Sequence, residues 1–112
     1  MQPETRKFLY DVCQACEGLL EFTEGKTLED YKAEFLLRSG VERQLMIIGE
    51  ALSQAEKIDP NVSKAISNIR RIVNLRNVIV HSYSTVENET IWGILQEHVP
   101  KLHEEVKTLL GQ

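Results

Sequence analysis

Apolar residues recur at steps of three and four along four stretches of this chain, and no stretch keeps a strand's period of two for long. That pattern dictates helices with one apolar face each, and such faces must pack on one another. From Pro3 to Glu24 the series is Leu9, Val12, Cys13, Cys16, Leu19 and Leu20, with Gly25 as a stop. Thr27-Leu28-Glu29-Asp30 has the form of a capping box. Val41, Leu45, Ile48, Leu52 and Ala55 then predict a long second helix from about Tyr31 to Lys57, with Ser39-Gly40 as the place for a bend. Asp59-Pro60 restarts the chain with an N-cap acceptor and a first-turn proline. Val62, Ile66, Ile69, Val73 and Val80 carry a third helix to about His81 or Tyr83. After a polar run from Ser84 to Thr90, the last stripe is Trp92, Leu95, Val99, Leu102, Val106 and Leu109, in which Pro100 either kinks one helix or opens a final short one. The expectation is an all-α antiparallel helical bundle of four to five main helices, one domain over residues 1–112.

A chain of 112 residues, 42% apolar, can build one hydrophobic core and not two, and disordered or collagen-like classes are excluded. No apolar run approaches the roughly 18 residues that span a bilayer, and Met1-Gln2-Pro3-Glu4 lacks a basic lead into an apolar segment. A soluble, cytoplasmic protein without membrane attachment is expected. Cys13 and Cys16 are too few for a disulfide framework, and three apart on an apolar helix face they suit packing better than a redox pair or half a zinc site. His98 and His103 lie five apart, off the spacing that sets two ligands on one helix face, and are expected to face solvent. No metal or cofactor is expected.

The net charge of -4 argues against bulk attraction to nucleic acid, but the average hides an asymmetry. Between Asp59 and Glu87 there is no acidic side chain, while Lys64, Arg70, Arg71 and Arg76 fall there together with His81. These cations either hold a phosphate backbone locally or simply face solvent; charge alone favours the latter. Within the third helix, the apolar series breaks at one core-type position, and Arg76 fills it. Burying an unpaired guanidinium is costly, so Arg76 must meet a carboxylate, a phosphate or a wet interface. At 100° per residue, Tyr83 falls about 20° from Arg76, while Asn77 and His81 fall about 100° and 140° to its other side. Leu75, Val78, Ile79 and Val80 are apolar around them, so the helix reads as covered on nearly every side, with a second copy of the chain as the economical source of the cover.

An arginine and a histidine so placed suit RNA cleavage. His81 takes and returns a proton near neutral pH, and Arg76 stabilises the charge on a pentacoordinate phosphate. Asn77 would orient His81 or a phosphate, and Tyr83 would position ribose or base. Glu50 is expected to face the third helix and pair with Arg76 or with an arginine of a second subunit, as a structural bridge or as the group that aligns the catalytic arginine. Spacing alone is weak, since an Arg paired to a glutamate and a His satisfied in the core would give the same pattern.

Arg76-Asn77-Val78-Ile79-Val80-His81-Ser82-Tyr83 resembles the Arg-x4-His-x-Tyr signature of HEPN domains, and more narrowly that of the HepT-like (DUF86) toxin family. Glu42-Arg43 with Ile47-Ile48-Gly49-Glu50-Ala51, Phe22-Thr23-Glu24-Gly25 with Thr27-Leu28, and Val86 with Ile91-Trp92 and Leu102 agree in order along almost the whole chain. Two positions depart from many relatives: Ser82 stands where they have an acidic residue, and Ser84 where they have an aromatic or apolar one. The resemblance implies an all-α HEPN fold, a homodimer with both Arg-His motifs facing one cleft, and a metal-independent endoribonuclease acting as a toxin on RNA, tRNA or mRNA. It also implies a partner, a minimal nucleotidyltransferase (MNT) antitoxin that transfers AMP to the motif tyrosine, here Tyr83. Catalysis would fall to Arg76 and His81, support to Asn77 and Glu50, and RNA contact to Lys64, Arg70 and Arg71. The alternatives are a catalytically inactive nucleotide- or partner-binding module associated with such a nucleotidyltransferase, or a structural helical dimer.

Overall fold

The computed structural model describes residues 1–81 and 87–112, and the side chains of residues 1–79 and 87–112. Its helices are α1 (Pro3–Thr23), α2 (Leu28–Ala33), α3 (Phe35–Ile58), α4 (Val62–Ala65), α5 (Ile69–His81), α6 (Asn88–Glu97) and α7 (Val99–Leu110). No strand occurs among the described residues, so the chain forms the all-α bundle that its periodicity predicts. The helices of ten residues or more are α1, α3, α5, α6 and α7, in keeping with four to five main elements.

Side-chain pairings give the order and direction of the long helices. Arg6 near the start of α1 donates to the Leu110 carbonyl at the end of α7 (3.2 Å), and Glu17 further along α1 meets His103 earlier on α7 (3.1 Å). These two helices are therefore antiparallel. Phe22 at the end of α1 lies over Gly40 near the start of α3, while Phe8 and Asp11 share a groove with Met46 and Ile47, which makes α1 and α3 antiparallel too. Glu56 pairs with Arg70 and Glu50 with Arg76, so α5 runs back along α3. The row is α7, α1, α3, α5. Its two inner helices supply the fully covered Leu9, Val12, Cys16 and Leu19 on one side and Val41, Ile48, Leu52 and Ala55 on the other, at the spacing read from the sequence.

Three sequence expectations change. The second helix breaks at Glu34, whose backbone is extended (φ -100°, ψ 100°), and runs unbroken through Ser39-Gly40. Arg38 holds this break by donating to the Tyr31 and Lys32 carbonyls at the end of α2, groups that a helix end leaves without partners. Tyr31 pins α2 from within, fully buried with its ring 5.7 Å from that of Trp92 on α6. The capping box before α2 forms as expected, Thr27 Oγ1 accepting from the Asp30 amide and the Asp30 carboxylate accepting from the Thr27 amide.

The third helix divides into α4 and α5 at Ser67-Asn68. Asn68 adopts φ 60°, a left-handed value that asparagine tolerates better than most residues. The Glu105 carboxylate of α7 accepts from the Ser67 amide (3.2 Å) and from its hydroxyl (2.8 Å), rewarding an interrupted backbone. Pro100 sits in the first turn of α7 and so opens a final helix, the second of its two expected roles. The third change concerns His103: its side chain is only 13% exposed and lies against Glu17, while His98 is half-buried at the α6–α7 junction. His103 is covered because its place on α7 sets it against Glu17 of α1.

Candidate functional site

The close crossing of α3 and α5 is set by Gly49. A Cβ added there would fall 2.3 Å from the Cβ of Arg76 and 2.8 Å from its Cγ, distances no pair of carbons tolerates. A glycine inside a helix costs roughly 1 kcal/mol relative to alanine, and here the vacancy admits the arginine stem. With its aliphatic part laid on the Gly49 backbone, Arg76 extends Nη2 to Glu50 Oε2 (2.7 Å) and donates from Nη1 to Asn77 Oδ1 (2.8 Å). Glu50 is steadied from the other side, its Oε1 accepting from Gln54 Nε2 (3.1 Å).

Arg76 thus meets a carboxylate at a wet edge, which combines two of the environments its core-type position requires. Its side chain is 30% exposed and that of Glu50 is 50% exposed. An ion pair this open adds only about 0–1 kcal/mol to stability, so its main physical effect is to aim the guanidinium. Arginine carries five N–H donors, and the Glu50 and Asn77 bonds occupy two of them, leaving others for an anion. The guanidinium borders a groove of about 310 Å³ between α1, α3 and α5, with Phe8 and Met46 as apolar walls and Asp11, Arg43 and Glu50 as charged ones.

The rest of α5 is covered on one side only. Ile72, Val73, Leu75 and Ile79 are buried, while Arg71, Asn74, Asn77 and Val78 are exposed. Within one chain the helix is thus not enclosed on every side: among the described residues α3 packs closely along it, and the cover expected from a second copy would fall on the exposed face. The expected basic set also divides. Arg70 is engaged in an ion pair with Glu56, which accepts from Ser63 as well, Arg71 is exposed on α5, and Lys64 is exposed on α4 beyond the Ser67-Asn68 break. His81 closes α5, but its side chain lies outside the described residues, as does all of Tyr83.

Of the two partners expected for Glu50, Arg76 or an arginine of a second subunit, the structure pairs it with Arg76, and the apolar pattern gives no sign of the roles of Gly49 and Glu105. The available signal for Gly49 is a glycine in the middle of a strong helical run, away from the expected bend at Ser39-Gly40, a position that usually has a packing reason.

Residues 12–109 match the sequence model of the family described as ribonuclease HepT-like. The chain belongs to this family. Among its relatives, "Putative RNase MJ1380" of Methanocaldococcus jannaschii is 30% identical, the match covering 93% of this chain and 94% of the relative. "Putative RNase TTE0752" of Caldanaerobacter subterraneus is 30% identical over 94% and 93%. "Probable ribonuclease HepT" of Thermococcus cleftensis is 30% identical over 91% and 92%. No solved structure matches the chain significantly. A ribonuclease-type function is thus supported at the level of the HepT-like family, and the Gly49, Glu50, Arg76 and Asn77 cluster lies inside the matched span. No described helix of this HepT-like chain is long and apolar enough to cross a membrane.

Proposed function

We propose that this chain is a metal-independent endoribonuclease, the toxin of a HEPN/MNT toxin–antitoxin pair, and that it works in the cytoplasm as a homodimer of one domain, residues 1–112. The observation that carries the reading is the Arg76 guanidinium, aimed by Glu50 and Asn77 at the edge of an open groove in a HepT-like chain. A charge held this way is ready for a phosphate without first being reorganised, which is the condition for stabilising a transition state. In this reading His81 removes the proton from a ribose 2'-hydroxyl. The freed oxygen attacks the adjacent phosphorus, the bond to the 5'-oxygen breaks, and that oxygen leaves with the proton that His81 took and returns. A 2',3'-cyclic phosphate and a 5'-hydroxyl result. Arg76 neutralises the extra charge on the phosphorane, with Asn77 and Glu50 as positioning residues. Arg71 and Lys64 contact the RNA backbone, joined by Arg70 if it exchanges Glu56 for phosphate.

The exposed Arg71, Asn74, Asn77 and Val78 face of α5 supports dimerisation, since it includes Asn77 of the motif and stays uncovered among the described residues. Silencing would follow from AMP transfer to Tyr83 by a nucleotidyltransferase antitoxin, because added phosphates compete with RNA for Arg76. The test joins an RNA cleavage assay on the unmodified chain with intact-mass analysis after co-expression with a neighbouring nucleotidyltransferase. His81→Ala and Arg76→Ala should each abolish cleavage and leave a folded dimer, and co-expression should add the mass of AMP at Tyr83. Cleavage that survives His81→Ala removes the assigned base. Binding of nucleotide or partner without any cutting favours the inactive module instead.

A further inference from the structure

A second polar cluster lies on the opposite side of the bundle, between α1 and α7, and the proposed nuclease chemistry does not use it. Cys13 and Glu17 stand four apart on α1 and so share a face, and His103 approaches them from α7. Cys13 Sγ lies 3.5 Å from Glu17 Oε2, and His103 Nε2 lies 3.1 Å from that same oxygen. The three donor atoms are all within 4.8 Å of one another. With zinc bonds of about 2.3 Å to sulfur and about 2.0–2.1 Å to nitrogen and oxygen, neighbouring ligands of a tetrahedral ion stand about 3.3–3.6 Å apart. Two edges of the cluster already fall near that length, and small rotamer changes would close the third.

We propose that Cys13, Glu17 and His103 bind one Zn²⁺ ion that ties α7 to α1, with water in the fourth position. The donor chemistry selects the metal. Thiolate and imidazole favour zinc over magnesium or calcium, which take oxygen ligands. The ion has a way in, because the Glu17 side chain is 49% exposed while Cys13 and the His103 ring form the covered inner part of the cluster. A thiol is protonated at neutral pH, so binding releases the Cys13 proton to solvent as the sulfur–zinc bond forms. Lys107 is the cation closest in influence; its ammonium is paired with Glu104 (3.8 Å), which moderates its repulsion of an entering ion. Cys16 takes no part, being fully buried in the core.

Co²⁺ serves as the spectroscopic probe and Zn²⁺ as its competitor, both with the full chain. The expected result is one Co²⁺ per chain with a thiolate-to-cobalt charge-transfer band, displaced by one equivalent of Zn²⁺, together with a rise in Tm on adding Zn²⁺. Cys13→Ala should remove the band. Glu17→Gln, at a largely exposed position with little bearing on folding, and His103→Gln should each weaken metal affinity by more than about tenfold, since even outer-shell changes cost about 10–100-fold. Arg76→Ala should leave the metal affinity unchanged. A chain that shows no thiolate band with Co²⁺, or whose band survives in Cys13→Ala, overturns the proposal. So does an unchanged affinity in a folded Glu17→Gln variant.

Discussion

The two outer seams of the row, α3 with α5 and α1 with α7, each set a cation-forming side chain against a glutamate, and they differ in what surrounds the pair. At the α3–α5 seam the stem of Arg76 lies on bare backbone at Gly49 while its head reaches a groove. At the α1–α7 seam the ring of His103 is almost covered, and the thiols of Cys13 and Cys16 are packed behind it. The first seam leaves guanidinium donors turned outward, and the second turns its donor atoms toward one another. A side chain held against a glutamate can therefore present donors to a ligand or close a cluster, and backbone proximity decides between them. A glycine at the crossing brings α5 close enough for a long side chain to lie along α3 and emerge at the edge.

Gly49→Ala tests this most severely. The new Cβ meets the Cβ of Arg76, which is fixed by the helix and cannot swing away, so α3 and α5 must separate. Overpacking costs about 1–3 kcal/mol, and a 2.3 Å approach between two backbone-fixed carbons belongs to the upper part of that range, above the roughly 1 kcal/mol that alanine returns in helix propensity. Denaturant melts should show a net loss, and RNA cleavage should fall by more than tenfold because the Arg76 head no longer meets Glu50. A variant that cleaves RNA normally with unchanged stability would break the argument that the glycine creates the site.

Glu105→Gln comes next. It weakens the charge-assisted bonds to the Ser67 amide and hydroxyl, where α7 fastens the turn that launches α5. A loss of about 1–2 kcal/mol is expected in thermal or urea melts, comparable to that of a helix cap. Because this contact joins the last helix to the start of α5, amide exchange should accelerate at the beginning of α5 before it does at Arg76.

These two residues also mark where the sequence stops being legible. Apolar periodicity placed α1, the body of α3 and α7 correctly, since each of those helices buries one continuous stripe. It joined α2 to α3 and α4 to α5, because both breaks are made by partners distant in the chain or by a single extended residue. Glu105 holds Ser67 across 38 positions of sequence, and Arg38 takes the free carbonyls that end α2. The Arg76–Glu50 pairing was legible because an arginine at a core-type position demands a carboxylate or a phosphate. The side chain that shapes the crossing is a hydrogen atom at Gly49, and it leaves no mark in an apolar pattern.

Matched substitutions at the two glutamates sharpen the contrast. Glu50→Gln and Glu17→Gln should each change stability by less than about 1 kcal/mol, as exposed pairs do. Only Glu50→Gln should slow RNA cleavage, with kcat falling more than KM rises, because the guanidinium loses its aim and keeps its charge. Equal effects on cleavage from both would mean that the seams do not divide their work.

The smallest effect concerns the thiols of the closed seam. Burial pushes Cys16 up to about 12, and Cys13 is raised as well, by burial first and then by Glu17. At pH 8 a thiol with that value is about one part in ten thousand thiolate, against roughly a quarter for a free cysteine. Since thiolate is the reacting form, both thiols of the native, chelator-treated chain should resist iodoacetamide for the time in which the unfolded chain reacts fully. Raising the pH toward 9 should quicken Cys13 before Cys16, because Cys16 is covered completely and lies further from the half-exposed Glu17 edge. Peptide mapping reads this order directly. Rapid labelling of Cys16 at pH 8 would mean that α1 and α7 part readily, and the seam would then be no more closed than the one that holds Arg76.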